Sequence, residues 1–171
     1  SQYVAEGIPF IMANSLVNGQ IDFEKSKQLP KEVTDGLRIG FAKPRDVLLS
    51  HKGTIGGTAI VPDQFDFPYL MLTPQVTYYR CNSEKLLPAF LFQVFNSTYF
   101  QNQLTSLSAQ STRSYIGITS QRKLKLAVSE DVETQKAIVD VLARSASVVG
   151  DIEKNIFASE RLLKSLINQI F

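Results

Sequence analysis

"DVLLSHKGTIGGTAIVP", residues 46–62, decides how this chain folds. Val47 to Leu49 form an apolar run between Asp46 and Ser50, the pattern of a strand buried on both faces. Gly53, Gly56 and Gly57 follow beside Lys52, Thr54 and Thr58, a mixture suited to cradling a phosphate. A phosphate loop of the Gly-x-x-x-x-Gly-Lys-Ser/Thr or Gly-x-Gly-x-x-Gly type must enter a helix, whose N-terminus supplies the dipole that holds the anion. Here Thr58-Ala59-Ile60-Val61 is strand-like and stops at Pro62, so no helix follows. Residues 53–57 therefore read as a turn between two strands, with glycine permitting positive φ and close backbone approach.

"GIPFIM" (7–12) reads as a strand, and Asn18-Gly19 inside "SLVNGQI" (15–21) is a tight-turn signal. Residues 22–36 are polar, with Pro30 and Gly36, and read as a connection holding about one helical turn. "QVTYYRC" (75–81) is β-branched and aromatic, a third strand of this type. Asn82 or Ser83 can cap the helix that follows, which carries Leu87, Leu91, Val94 and Phe95 on one face, with Pro88 tolerable only in its first turn. "KLKLAV" (123–128) alternates and predicts a short strand.

From Asp131 the character changes: no proline follows, and Gly150 is the one glycine. Leu142, Val149, Ile156, Leu163 and Ile170 recur every seven residues, and Ile138, Ser145, Ile152, Ser159 and Leu166 fill the complementary position. This is a coiled-coil seam. A helix of about 40 residues is about 60 Å long, far longer than a compact body of about 100 residues is wide. Its stripe needs a partner helix. The competing arrangement is two shorter helices folded back at Gly150.

The chain has 171 residues, 44% of them hydrophobic and 20% charged, which suits one globular unit and excludes disorder. A single cysteine, Cys81, excludes an internal disulfide framework and points to a reducing, cytoplasmic location. With one histidine, His51, and one cysteine, no zinc site of the usual kind can form. No apolar run approaches the roughly 20 residues of a membrane span, and no signal-peptide pattern opens the chain.

The net charge is +2, unevenly spread. Residues 101–129 hold Arg113, Arg122, Lys123 and Lys125 with no acid, and residues 38–62 hold Arg38, Lys43, Arg45 and Lys52 against Asp46 alone. Such clusters suit an anionic partner, although solubilising surface charge gives the same pattern. Catalytic patterns fail. "DFPY" (66–69) has one proline where the Asp-Pro-Pro-Tyr of amino-methyltransferases has two, and no cofactor loop precedes it. Pro62-Asp63 lacks the Asp/Glu-x-Lys of a nuclease metal site. Ser-His-Asp catalysis would rest on His51 alone, without a Gly-x-Ser-x-Gly elbow; a lone histidine beside a lysine in a turn reads as a surface residue.

Taken in order, the segments resemble half of a type I restriction-modification specificity subunit. "GIPFIMANSLVNGQI" (7–21) resembles the opening of its target-recognition domain, and "PRDVLLSHKGTIGGTAIVP" (44–62) its strand-turn-strand. "LLPAFLFQVFNSTYFQNQL" (86–104) resembles the following helix, and "AQSTRSYIGITSQRKLKLAV" (109–128) the stretch after it. "EDVETQKAIVDVL" (130–142) and the seam beyond resemble the conserved spacer helix. Departures are Arg45 where the family has glycine, Ser15 where Asp or Asn is common, Ser129-Glu130-Asp131 for Pro-Pro, and Thr134-Gln135 for Glu-Gln. A complete subunit has two recognition domains and two spacer helices, so the expectation is a half-subunit, a truncated product or a fragment.

The resemblance implies an α+β fold: a mixed, β-rich recognition domain over residues 1–129 with peripheral helices, then a long C-terminal helix over 130–171 that pairs as a coiled coil. It implies a non-catalytic reader of one half of a split double-stranded DNA site, with the helix as ruler. The methyltransferase subunit would use S-adenosylmethionine to methylate adenine N6, and a motor/nuclease subunit would use ATP and Mg; this chain would hold no cofactor or metal. Side chains on polar loops read base edges and basic ones hold phosphates. The candidates are His51, Lys52 and Thr54 at the glycine turn, and Gln110, Ser111, Thr112, Arg113 and Tyr115 in the acid-free loop. Arg122, Lys123 and Lys125 are expected phosphate contacts. Ile138, Leu142, Val149, Ile152, Ile156, Leu163, Leu166 and Ile170 would meet a second copy, a second half-subunit or another partner helix. A different class of function is an assembly module that docks through the helix and reads no DNA.

Overall fold

The computed structural model describes residues 3–109 and 115–170. Gln110, Ser111, Thr112 and Arg113, and the side chain of Ile170, lie outside the described residues.

The strand read from the opening stretch, β6 (Val47–Ser50), is the centre of the fold, and each of its four residues is buried. It pairs antiparallel with β7 (Thr58–Ile60) on one side and with β9 (Val76–Tyr79) on the other. Its alternation divides the core in two. Leu48 faces one cluster with Ile11, Leu16, Ile21, Leu70 and Val76. Val47 and Leu49 face the other, with Leu91, Phe95, Phe100, Leu104 and Ile116. Fully burying a side chain of this size contributes about 1.5–3 kcal/mol, so a strand loaded on both faces is where substitution is least tolerated.

The first cluster is closed by a mixed sheet. β1 (Ile8–Ile11) lies between β4 (Lys27–Leu29), antiparallel to it, and β8 (Leu70–Leu72), parallel to it; β5 (Phe41–Ala42) adds antiparallel to β8. The hairpin β2 (Leu16–Val17) and β3 (Gln20–Ile21) turns at Asn18 and Gly19, both with positive φ (50° and 79°), the type I′ geometry its sequence demands. A single parallel bridge, Gly19 to Ala59, joins this hairpin to β7.

The second cluster is closed by helices. α2 (Pro88–Asn96) buries Phe90, Leu91, Val94 and Phe95, and α3 (Thr98–Ala109) buries Phe100 and Leu104. Phe95 and Phe100 stack at 4.5 Å across the break at Ser97. The expected cap at Asn82 forms only a local turn, its side chain accepting from the Glu84 N–H; the helix begins at Pro88. Proline has no N–H to give a preceding turn and its φ is preset for the first helical position, which makes it an initiator here.

Three other expectations need correction. Residues 22–36 are not a plain connection: they contain β4 as well as α1 (Lys31–Asp35). β5 and β8 were not anticipated. "KLKLAV" is not a strand; residues 124–128 carry no ladder, and the backbone N–H and C=O of Lys125 bond instead to the Gln103 amide, at 2.9 Å each.

The C-terminal segment is a single helix, α5 (Val132–Ile170), of 39 residues. It runs through Gly150 without a break. Asp131 caps it, its carboxylate accepting from the Thr134 N–H at 2.9 Å. Its root packs on α2. There Gln135, fully buried, accepts from the Leu87 N–H and donates to the carbonyls of Lys85 and Ser129 at 2.7–2.9 Å. One amide side chain thus satisfies three backbone groups that converge on the helix root. Between residues 140 and 168 every residue except Gly150 is exposed.

Candidate nucleic-acid interface

The glycine turn sits at the end of β6. Gly53 and Gly56 have φ of 79° and 90°. The Gly56 and Gly57 N–H groups are already used, donating to the Ser50 backbone and side-chain oxygens at 2.9 and 2.8 Å. A phosphate loop needs such amides free, so the loop itself has none of these two to offer an anion. Gln101 of α3 fixes the turn from behind, its amide donating to the carbonyls of Gly56 and Phe95. These bonds tie the turn to β6 and α3 and leave Lys52 and Thr54 exposed at the tip.

Beside this tip comes a segment from the other side of the sequence. Lys52 and Tyr115 form an antiparallel bridge, and the Ile116 N–H donates to the His51 carbonyl at 2.8 Å. Ile116 is buried in the second cluster, and Gln121, at the end of α4 (Ile118–Gln121), donates to its carbonyl. Gln121 in turn accepts from the Tyr79 hydroxyl at 2.9 Å. Burial pushes Tyr79 up to about 12, so it stays protonated and donating. Two of the expected groups therefore meet: His51, Lys52 and Thr54 from the turn, and Tyr115 from the acid-free loop. Arg122, Lys123 and Lys125 are exposed as well, but on the stretch tied to α3, where Lys123 lines a shallow groove with Tyr99, Asn102 and Gln103.

His51 corrects the sequence reading. It was expected at the surface, and it is 5% exposed. Its backbone N–H donates to the Gln75 carbonyl, which draws it into line with β6, and its ring lies 5.7 Å from that of Tyr115. Burial lowers its pKa below the usual 6.5; backbone carbonyls of Ile116 and His51 itself oppose this in part, and Lys52 adds to it. The unfolded chain thus takes up a proton at a higher pH than the folded one. Stability from this residue is complete above pH 6.5 and falls as the pH drops below it. Thermal unfolding midpoints should decline below pH 6.5 more steeply in the wild type than in His51→Gln, and parallel profiles would remove His51 as the cause.

The second candidate surface is the α5 stripe. Ile138, Leu142, Val149, Ile152, Ile156, Leu163 and Leu166 are all exposed along it, as are Val141 and Val148 beside it. Among the described residues, no cluster of three or more His, Cys, Asp or Glu side chains is placed to hold a metal ion, and no helix is long and apolar enough to cross a membrane.

No protein-family model matches the chain, and no curated protein matches it. Solved structures do. The HsdS subunit from Thermoanaerobacter tengcongensis aligns with a TM-score of 0.65 at 20% identity, over 85% of this chain and 37% of that one. A chain from a structure of complex assembly and conformational transition in the type I R-M system aligns with a TM-score of 0.60 at 17% identity, over 84% and 37%. This chain therefore has the fold of the HsdS specificity subunit of type I restriction-modification systems, over 37% of such a subunit's length.

Proposed function

We propose that this chain reads one half of a bipartite double-stranded DNA site for a type I restriction-modification system, with residues 1–129 as target-recognition domain and 130–171 as spacer helix. It is a non-catalytic part. Adenine-N6 methylation with S-adenosylmethionine belongs to a methyltransferase subunit, and ATP- and Mg-dependent cleavage to a motor/nuclease subunit. The observation that carries the reading is the junction of Lys52 with Tyr115 at the exposed end of the central strand, within the HsdS-like fold. Cationic and hydrogen-bonding side chains from two distant segments share one tip, which suits groove contact. Lys52, Thr54 and Tyr115, with Gln110, Ser111, Thr112 and Arg113 from the same loop, make the direct contacts. His51 stands behind them. Arg122, Lys123 and Lys125 hold phosphates to one side.

The α5 stripe finds a second copy of the chain or a second half-subunit. The antiparallel sense follows from the family, and a homodimer reads a symmetric split site. Intracellular DNA makes the cytoplasm the place of action.

Co-expression with the cognate methyltransferase subunit, followed by adenine-methylation mapping, tests the reading. A split motif in the map is the expected result. Lys52→Glu should weaken DNA binding about tenfold, and affinity should fall steeply with salt, by about one further power of salt for each phosphate contact kept. Arg113→Glu should act in the same direction. Affinity unchanged by both substitutions, with the methyltransferase still retained on the chain, favours the assembly module over the reader.

A further inference from the structure

Next to the tip lies a cleft of about 540 Å³. Its walls include His51, Ile39, Met71, Tyr78, Tyr115 and Ile118. A soluble chain rarely gathers so many exposed apolar side chains without a use for them: Ile39 is 83% exposed and Ile118 52%. The size falls within the range of about 300–1,000 Å³ typical of small-molecule sites.

Three features describe the occupant. None of the residues lining the cleft is Asp or Glu, while Arg38 adjoins Ile39 in sequence and Lys52 pairs with Tyr115. The occupant is attached to negative charge. Two tyrosine rings form part of the walls, and the Arg80 guanidinium lies 4.8 Å from the Tyr78 ring centre. Flat π surfaces favour a flat ring. The His51 Nδ1 is buried and has no hydrogen-bond partner among the described residues. A buried polar atom of this kind calls for a partner, and neutral imidazole can present Nδ1 as donor or acceptor by choice of tautomer.

A planar, hydrogen-bonding ring carried on an anionic backbone is a nucleobase. Stacked inside a duplex, a base shows only its edges and cannot enter. We infer that the cleft receives one unstacked base of the bound DNA, with its phosphates held by Arg38 and Lys52 at the rim. The inference rests on the DNA-reading function proposed above. It makes specificity at one position depend on the cleft, through the shape of an entire base.

The test selects duplexes with the full chain from a pool with a randomised core. The selected duplex is then made with a fluorescent analogue of the resident base at each position of both strands, 2-aminopurine for adenine and pyrrolocytosine for cytosine, with permanganate oxidation for thymines. At one position the wild type should raise the fluorescence or the oxidation severalfold. Tyr115→Ala and Ile39→Ser should abolish that rise and weaken binding about tenfold, the scale of one lost base stack. Ile39 is so exposed that its substitution leaves the core intact. A selected sequence in which every position stays stacked overturns the cleft's role and leaves the DNA reading standing. Failure to select any sequence overturns both. Cleft variants that keep DNA contacts unchanged but release the methyltransferase subunit make the occupant a protein segment, and the inference falls.

Discussion

Ile152→Asp combined with Ile156→Asp is expected to abolish the pairing proposed for α5 and leave a monomer, read directly by sedimentation velocity. Both residues are more than half exposed on α5, and the stripe they belong to has no cover among the described residues. Burying one such isoleucine in a partner helix contributes about 1.5–3 kcal/mol. The double substitution removes four of them from a dimer. It also places four carboxylates in an apolar seam, where each ion carries an effective penalty of several kcal/mol unless paired. The sum exceeds the roughly 12 kcal/mol that separates a nanomolar dimer from free chains at the standard state, so the effect is dissociation rather than weakening. Ser147→Asp, on the opposite face by the heptad count, should leave association unchanged. A wild-type chain that sediments as a monomer at micromolar concentration and above overturns pairing with itself.

The helix could be read because its signal is local and repeated. Five heptads of Leu, Val and Ile accumulate evidence over the whole segment, and no tertiary contact is needed to see them. β6 was legible for a related reason: an unbroken apolar run fits a strand buried on both faces, and the structure buries all four of its residues. β5 and β8 were not, because strands of two and three residues carry no period to detect. Leu70–Leu72 lies between Pro68 and Pro74 and becomes a strand only because β1 and β5 offer it partners on both sides. "KLKLAV" fails in the opposite sense. Its alternation is genuine, but Gln103 takes the backbone groups a ladder would need.

The candidate site divides in the same way. Lys52 and Thr54 could be placed at a tip once residues 53–57 were read as a turn. That Tyr115 would lie beside them could not be read from spacing, since the two segments are 63 positions apart and are joined by a bridge made by the fold. His51 was misjudged because its neighbours are polar, whereas its burial comes from Gln75 and Ile116, both remote in sequence. The glutamines were missed altogether. Gln101 and Gln135 bond backbone groups of other segments, and Gln121 joins the Ile116 carbonyl to the Tyr79 hydroxyl; a glutamine that does so looks in the sequence like any surface amide.

Arg80→Ala should be the most damaging single change at the far end of β6, the strand that carries the Lys52 tip. Asp46 is 1% exposed and anchors β6 at the end opposite His51. Its carboxylate accepts from Arg80 Nε and Nη2 at 2.8 and 2.7 Å, a two-pronged pair, and from the Lys43 N–H at 2.8 Å. The same contacts close the turn in which Arg45 holds a φ of 66°, where a residue with a side chain is strained. Removing the guanidinium leaves a buried carboxylate with one amide donor, a loss of about 3–5 kcal/mol for a buried pair. Arg80 is itself 42% exposed on its side chain, so water relieves part of this, and about 3 kcal/mol is expected from urea unfolding. That is a large share of the roughly 5–15 kcal/mol that holds a typical domain folded. Asp46→Asn added to Arg80→Ala should recover about half of the loss, because the neutral amide still accepts from Lys43 and no longer strands a charge. A loss below about 1 kcal/mol in the single variant, with no recovery in the double, would mean that the pair behaves as an exposed ion pair. The register of β6, and with it the position of Lys52, would then depend on core packing alone.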